Sequence, residues 1–202
     1  MKNKICVIKL GGSLFDDCQV VQALRRWLDV KTPAIKLVIV GGGGLVEQIR
    51  HWDTTHHLTE RQSHRLALAA MSVTANLLHD LYPEATLISR LTEIERCEPR
   101  PIVIFDIWPH WDLLPCLANL PESWQVTSDS IAATIANELQ AELTLLKSCL
   151  PEPPYTVENT TAQGYTDSYF PVAARGVEKV QCVDLLAKDS GKPIILVHGA
   201  DP

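Results

Sequence analysis

Two glycine corners and a lysine beside the first carry the chemistry this sequence could perform. The apolar run Ile5-Cys6-Val7-Ile8-Lys9-Leu10 ends in Gly11-Gly12-Ser13, and Ile35-Lys36-Leu37-Val38-Ile39-Val40 ends in Gly41-Gly42-Gly43-Gly44. Glycine lets a backbone come close to a ligand without Cβ interference. Amides exposed at such a corner, with a helix starting behind them, suit phosphate. Lys9 sits two residues before the first corner, a fixed cation in an otherwise apolar strand. Six of the ten glycines fall in these two corners, so phosphate binding competes with one simpler reading, two tight turns that need glycine for shape alone.

Two further stretches belong with them. Thr127-Ser128-Asp129-Ser130 opens an apolar helical pattern. It reads either as a helix cap with an acidic first turn or as a polar edge for a bound anion. Lys147 follows the apolar run Leu143 to Leu146 and is either a solvated strand end or another cation for the site. His51, His56 and His57 invite a metal reading, but they lack an i, i+4 pair with a third partner in sequence. His64 falls within a long helix and reads as semi-buried. Neither corner matches G-x-x-x-x-G-K-[ST] or G-x-G-x-x-G, which counts against a Walker loop and a dinucleotide fold.

The elements that must position these residues follow from hydrophobic period. Lys4 to Leu10 and Ile35 to Val40 read as strands covered on both faces, as in a parallel sheet. A helix is expected from about Asp16 to Leu28, closed by Thr32-Pro33, and a short one from Leu45 to Trp52, with 53–57 as a polar connector. Thr59 and Gln62 fit a capping box before a helix that runs to about Leu81. Its stripe is expected to be Leu66, Ala70, Val73, Leu77 and Leu81. Strands are expected near Thr86 to Ile88, Pro101 to Phe105, Leu143 to Leu146 and Pro193 to Val197. A helical turn is expected near Thr92 to Arg96, and helices from Ser128 to about Ala141 and from Val177 to Lys188. The tryptophan-rich stretch Trp108 to Trp124 reads as an irregular segment packed over something, and Pro151 to Gly164 as a flexible flap. Alternating strands and helices give an α/β three-layer αβα sandwich with a mostly parallel sheet, residues 1–202 forming one domain. The corners, the start of the Ser128 helix and the tip after Lys147 should converge at the strand ends.

Composition excludes several classes. A net charge of −6 with no dense basic stripe argues against nucleic acid. No apolar run is long enough to cross a bilayer, and the N-terminus lacks a signal peptide pattern. Six dispersed cysteines without C-x-x-C read as reduced thiols, which suggests a cytoplasmic location.

The ordered set Lys9-x-Gly11-Gly12-Ser13, Gly41-Gly42-Gly43 and Thr127-Ser128-Asp129-Ser130-Ile131-Ala132 resembles the amino acid kinase superfamily, which includes acetylglutamate, carbamate, aspartate and uridylate kinases. Within it, three features are most similar to the small aminomethyl-furanmethanol phosphate kinases of methanofuran-type cofactor biosynthesis. They are Asp53 to Met71 with His57, Phe105-Asp106-x-Trp108-Pro109, and Ser123-Trp124-Gln125-Val126. The resemblance implies ATP with Mg2+, a small-molecule anionic acceptor, and a homo-oligomer built through the long helix and the tryptophan segment. It assigns Lys9 to the phosphoryl group in flight and Asp129 to orienting Lys9. Gly11, Gly12, Ser13 and Ser128 go to the nucleotide phosphates, and Gly41, Gly42, Gly43 and His57 to the acceptor. Two departures stand out. Lys147-Ser148 replaces an acidic pair that holds the nucleotide, and the second catalytic lysine has no direct match, leaving Lys147 or Arg175 to fill the role. Besides ATP-dependent phosphoryl transfer, two alternatives follow: a non-catalytic nucleotide or anion sensor on the same fold, and a carboxylate kinase forming an acyl phosphate.

Overall fold

The computed structural model describes residues 4–29, 34–97, 102–187 and 192–199. The strands are β1 (Lys4–Leu10), β2 (Ala34–Val40), β3 (Thr86–Ile88), β4 (Ile102–Phe105), β5 (Glu142–Lys147), β6 (Val180–Asp184) and β7 (Ile194–Leu196). The helices are α1 (Val20–Leu28), α2 (Gly44–His56), α3 (Glu60–Leu81), α4 (Ser128–Glu138), α5 (Val157–Ala162) and α6 (Phe170–Ala173). The seven strands form one sheet in the order β3-β4-β2-β1-β5-β6-β7, parallel except for β7.

The near-continuous apolar character of β1, β2 and β5 has its cause in the layers. Ile8, Leu10, Val38, Val40 and Leu146 pack under α1, while Val7, Leu37, Ile39, Leu143 and Leu145 pack under α4 and α6. This is the expected α/β sandwich with a mostly parallel sheet. From β1 the chain first builds outward through β2, then returns to lay β5 on the other flank of β1. The order therefore reverses between β1 and β5, the place where open α/β sheets form a crevice beyond the strand ends.

Several local expectations need correcting. A 3₁₀ turn (Gly12–Asp16) precedes α1, which starts only at Val20. α2 runs through the expected connector to His56, with His57 left-handed at its C-cap (φ 51). The capping box at Thr59 and Gln62 forms as expected, with both reciprocal bonds. The expected stripe of α3 faces outward: Leu66, Val73 (57% exposed), Leu77 and Leu81 are exposed, and Ala70 alone of the five is buried. Leu68, Met71, Ala75 and Leu78 are the residues that meet the sheet. The Pro151 to Gly164 segment carries α5, capped by the Thr156 hydroxyl and tied by Gln163 to Glu152. The stretch expected as a helix from Val177 is β6, parallel to β5. Thr32-Pro33, Pro101 and Lys188 lie outside the described residues.

Candidate active site

Strand alternation places both lysines of interest on one face. Side chains alternate along a strand, so Lys9 shares the face of Val7, and Lys147 that of Leu143 and Leu145, under α4. Lys9 pairs in register with Leu145, and Lys147 lies two residues further on, about 7 Å along the strand. Asp129, in the first turn of α4, meets both. Lys9 Nζ lies 3.0 Å from Asp129 Oδ1, and Lys147 Nζ lies 2.9 Å from Oδ2. The three side chains are 7%, 16% and 6% exposed (Lys9, Lys147, Asp129), so one carboxylate holds two ammonium groups almost out of water.

The electrostatics follow from that geometry. Burial alone would raise the Asp129 carboxyl, but the charges of Lys147 and Lys9 outweigh it and hold the group below its ordinary range. Burial lowers the Lys9 ammonium, Asp129 draws it back up, and the like charge of Lys147 lowers it again, for a net downward shift. Lys147 also donates to the Tyr165 carbonyl and lies 4.3 Å above the Tyr165 ring. Burial pushes the Tyr165 hydroxyl well above its usual value. Arg175, the other candidate for a second cation, is exposed after α6 and belongs to no ion pair among the described residues.

The two corners touch. A Cβ on Gly12 would fall 2.1 Å from the Gly43 nitrogen and 2.3 Å from the Gly41 carbonyl oxygen, so only glycine allows this approach. Gly43 has φ +58 and lies against the Gly12 carbonyl, which fixes its identity as well. The amides of Gly11 and Gly41 serve the fold, donating to the Leu146 and Leu10 carbonyls. Those of Gly12, Ser13, Gly42, Gly43 and Gly44 donate to no backbone carbonyl among the described residues, and all five residues line one cavity. Gly11 is thus a structural member of the corner, contrary to the ligand role expected of it.

The start of α4 is held by a residue that sequence reasoning missed. Asp167 accepts from the backbone N–H and hydroxyl of Thr127 and from the backbone N–H and hydroxyl of Ser130. It caps the helix from 37 positions away and so orients the turn that carries Asp129. No local signal marks it.

Next to the corners lies a cavity of 280 Å³, lined by Gly12, Ser13, Gly41 to Gly44 and Ser128 at one end. Its walls are Val46, Ala67, Leu68, Met71, Trp124, Val126 and Ile131, with His64 among them and the carboxylates of Asp16 and Glu47 also on the lining. Trp124 is fixed as a wall: its indole N–H donates to Asp53 (2.6 Å) and the Arg50 guanidinium lies 4.0 Å above its ring. His57 does not reach the cavity, because α2 is longer than expected and carries it, exposed, to the far end of that helix. Asp106, in the run that carries part of the resemblance, accepts from Ser72, Asn76 and the Trp108 N–H, and so ties α3 to the strand ends.

The sequence profile of the amino acid kinase family matches residues 4–148, well over half of the chain. The chain belongs to the amino acid kinase family. Membership supports ATP-dependent phosphoryl transfer as the general activity. No curated protein matches the sequence. Among solved structures, the chain is similar to the uridylate kinase of Archaeoglobus fulgidus, with 16% identity, TM-score 0.58, and 96% of this chain and 91% of that one covered. It is also similar to the aspartate kinase of Synechocystis, with 15% identity, TM-score 0.63, and 96% of this chain but 40% of that one covered. At such identity the likeness is one of fold. No helix among the described residues is long and apolar enough to cross a membrane.

The described residues do not build a magnesium cage of their own. Both Asp129 oxygens face ammonium groups, and no cluster of three metal-binding side chains occurs among the described residues. What the arrangement supplies is two cations, a set of free amides and an apolar pocket, the parts that phosphoryl transfer asks of a protein.

Proposed function

We propose that this amino acid kinase family member transfers the terminal phosphoryl group of ATP to a small anionic acceptor seated in the glycine-rimmed cavity. The observation that carries the reading is the buried Lys9-Asp129-Lys147 cluster beside the free corner amides. In this reading Gly12, Ser13 and Ser128 hold nucleotide phosphates, while Gly42, Gly43 and the cavity walls hold the acceptor. Lys9 and Lys147 flank the group in transit and offset the charge spread over its oxygens. Lys147 takes the part of the second cation, and Asp129 keeps both ammonium groups aimed. An oxygen of the acceptor forms the new bond to phosphorus as the bond to ADP breaks. An acceptor that is already a phosphate monoester is ionised at neutral pH, so the transfer needs no general base. Magnesium travels with the nucleotide.

The acceptor we favour is a furanmethanol phosphate of methanofuran-type cofactor biosynthesis, converted to a diphosphate. A cavity of 280 Å³ with glycines at one end and largely apolar walls suits a small ring carrying one phosphate. The exposed Leu66, Val73, Leu77 and Leu81 stripe supports a homo-oligomer paired through α3. The test is ADP release from magnesium-ATP with furan-3-ylmethyl phosphate as acceptor, with phosphorus NMR to identify the product. A diphosphate product, and turnover lowered about 100-fold in Lys9→Met and in Lys147→Met, is expected. Tight ATP binding without ADP release from any phosphomonoester would instead make the protein a sensor, and a hydroxylamine-trapped product would make it a carboxylate kinase.

A further inference from the structure

The two lysines of the cluster are not held alike. Lys9 lies within β1, with strands paired on both sides of it. Lys147 is the last residue of β5, and Ser148 and Cys149 beyond it are exposed. An ammonium on a flexible four-carbon stem keeps one position only when it is anchored from several directions. Asp129 supplies one anchor for Lys147, and Tyr165 supplies the others. The Tyr165 carbonyl accepts from Lys147 Nζ, and the Tyr165 ring lies 4.3 Å from the same nitrogen. The phenol also donates to the Cys149 carbonyl (3.2 Å), so the residue spans the strand tip that carries the lysine.

Tyr165 is itself fastened. Gly164 turns the chain with φ +70, and the Tyr165 N–H donates to the Thr160 carbonyl near the end of α5 (2.8 Å). The hydroxyls of Thr160 and Thr161 each lie 3.0 Å from that of Thr166. At its other end α5 joins the sheet, where the Val157 N–H donates to the carbonyl of Val197, the residue after β7. Two positions beyond Tyr165, Asp167 holds the first turn of α4, which carries Asp129. Three consecutive residues, Tyr165-Thr166-Asp167, thus fix both the second ammonium and the helix start that bears its carboxylate. One loop sets the spacing between the two charges.

We infer that Tyr165 is a positioning residue for the transfer, its carbonyl and ring holding the Lys147 ammonium against Asp129 so that the second cation is in place before the substrates arrive. This rests on the reading of Lys147 as that cation. Tyr165 acts through Lys147, which serves the group in transit. Loss of the ring should therefore lower kcat and leave KM for ATP and acceptor near their wild-type values.

The test measures ADP release from magnesium-ATP with furan-3-ylmethyl phosphate in Tyr165→Leu and Tyr165→Phe, each alone and combined with Lys147→Met. Tyr165→Leu keeps the backbone carbonyl but removes the ring, and should lower kcat about tenfold. Tyr165→Phe restores the ring and should recover most of that loss. In the Lys147→Met background, Tyr165→Leu should have no further effect. A residue that merely supports the fold would cost the same tenfold in both backgrounds, and that result overturns the inference. Full turnover in Lys147→Met removes the second-cation reading, and the inference with it. A second readout needs no turnover: acetylation by acetic anhydride, followed by mass spectrometry. Lys147 should react several-fold faster in Tyr165→Leu than in wild type, measured against Lys4 at the start of β1. An unchanged ratio overturns the hold of Tyr165 on Lys147 while leaving the kinase reading in place.

Discussion

Replacing Asp129 by asparagine should destabilise the protein severely and in a way that depends on pH. At an effective dielectric of about 20, an ammonium 2.9–3.0 Å from a carboxylate oxygen is held by about 5–6 kcal/mol of Coulomb attraction. Two such attractions vanish in Asp129→Asn, while the burial that opposes both charges stays. The chain has one escape, the loss of a proton from a lysine, and Lys9 is already lowered by burial. Discharging an ordinary lysine at pH 7 costs about 4.6 kcal/mol, at ~1.36 kcal/mol per pH unit. That limits the damage from above. Removing one partner from a buried ion pair gives about 3–5 kcal/mol. For a chain of this size that lowers the melting temperature by roughly 6–20 °C. Because the escape becomes cheaper in alkali, the difference from wild type should shrink by about 2–3 kcal/mol between pH 7 and pH 9. Urea denaturation at both pH values measures it. A loss below ~1 kcal/mol at pH 7, or a loss that does not change with pH, would refute the account of one carboxylate sustaining two buried cations. The triple variant Lys9→Met, Asp129→Leu, Lys147→Met provides a control: it should recover most of the stability and have no transferase activity.

Other substitutions probe the parts around this cluster. Gly12→Ala puts a methyl 2.1 Å from the Gly43 nitrogen; the corners must separate, at a cost of about 2–3 kcal/mol in urea denaturation and with loss of ATP binding by calorimetry. Asp167→Ala removes the cap of α4 and should cost about 1–2 kcal/mol, with a fall in turnover larger than the stability change explains because Asp129 loses its bearing. Lys9 makes stability rise with pH on the alkaline side: its folded-state value lies below the ordinary 10.5, so between the two the unfolded chain holds more protons. Wild type minus Lys9→Met stability, followed from pH 7 to 10.5, should therefore rise, and a flat or falling difference would contradict it.

How far the sequence disclosed this site depended on how local each device is. The strand and glycine corner units were legible because burial on both faces imposes an apolar run that only a turn interrupts. The start of α4 was legible from Thr127 and the polar residues behind it, although its side-chain cap comes from Asp167, 40 positions from Thr127. The face of α3 was not legible. Leu66, Val73, Leu77 and Leu81 recur at helical spacing, and so do Leu68, Met71, Ala75 and Leu78; the sheet takes the second set, and nothing within the helix distinguishes them. The run after Val177 failed for a related reason, since a short apolar stretch fits a strand or a helix until its neighbour is known, and here the neighbour is β5.

Lys147 shows most clearly why the site becomes intelligible only in three dimensions. In sequence it departs from the acidic pair of the kinases that the chain resembles, and reads equally well as a solvated strand end. Register alters that judgement. β5 lies beside β1, on the flank where the strand order reverses, so the residue two beyond Leu145 reaches past the end of the strand towards the same carboxylate that meets Lys9. A cation on each side of the reversal, joined through Asp129, needs no motif shared between the two strands. It needs only that the strands be parallel and that both lysines fall on the face under α4. In the proposed reading, Lys147 adds to Lys9 a second positive charge held by the same carboxylate. A Lys147→Ser, Ser148→Lys exchange carries the ammonium past the end of β5 and off the strand position that meets Asp129, so it should lower turnover as far as Lys147→Met does.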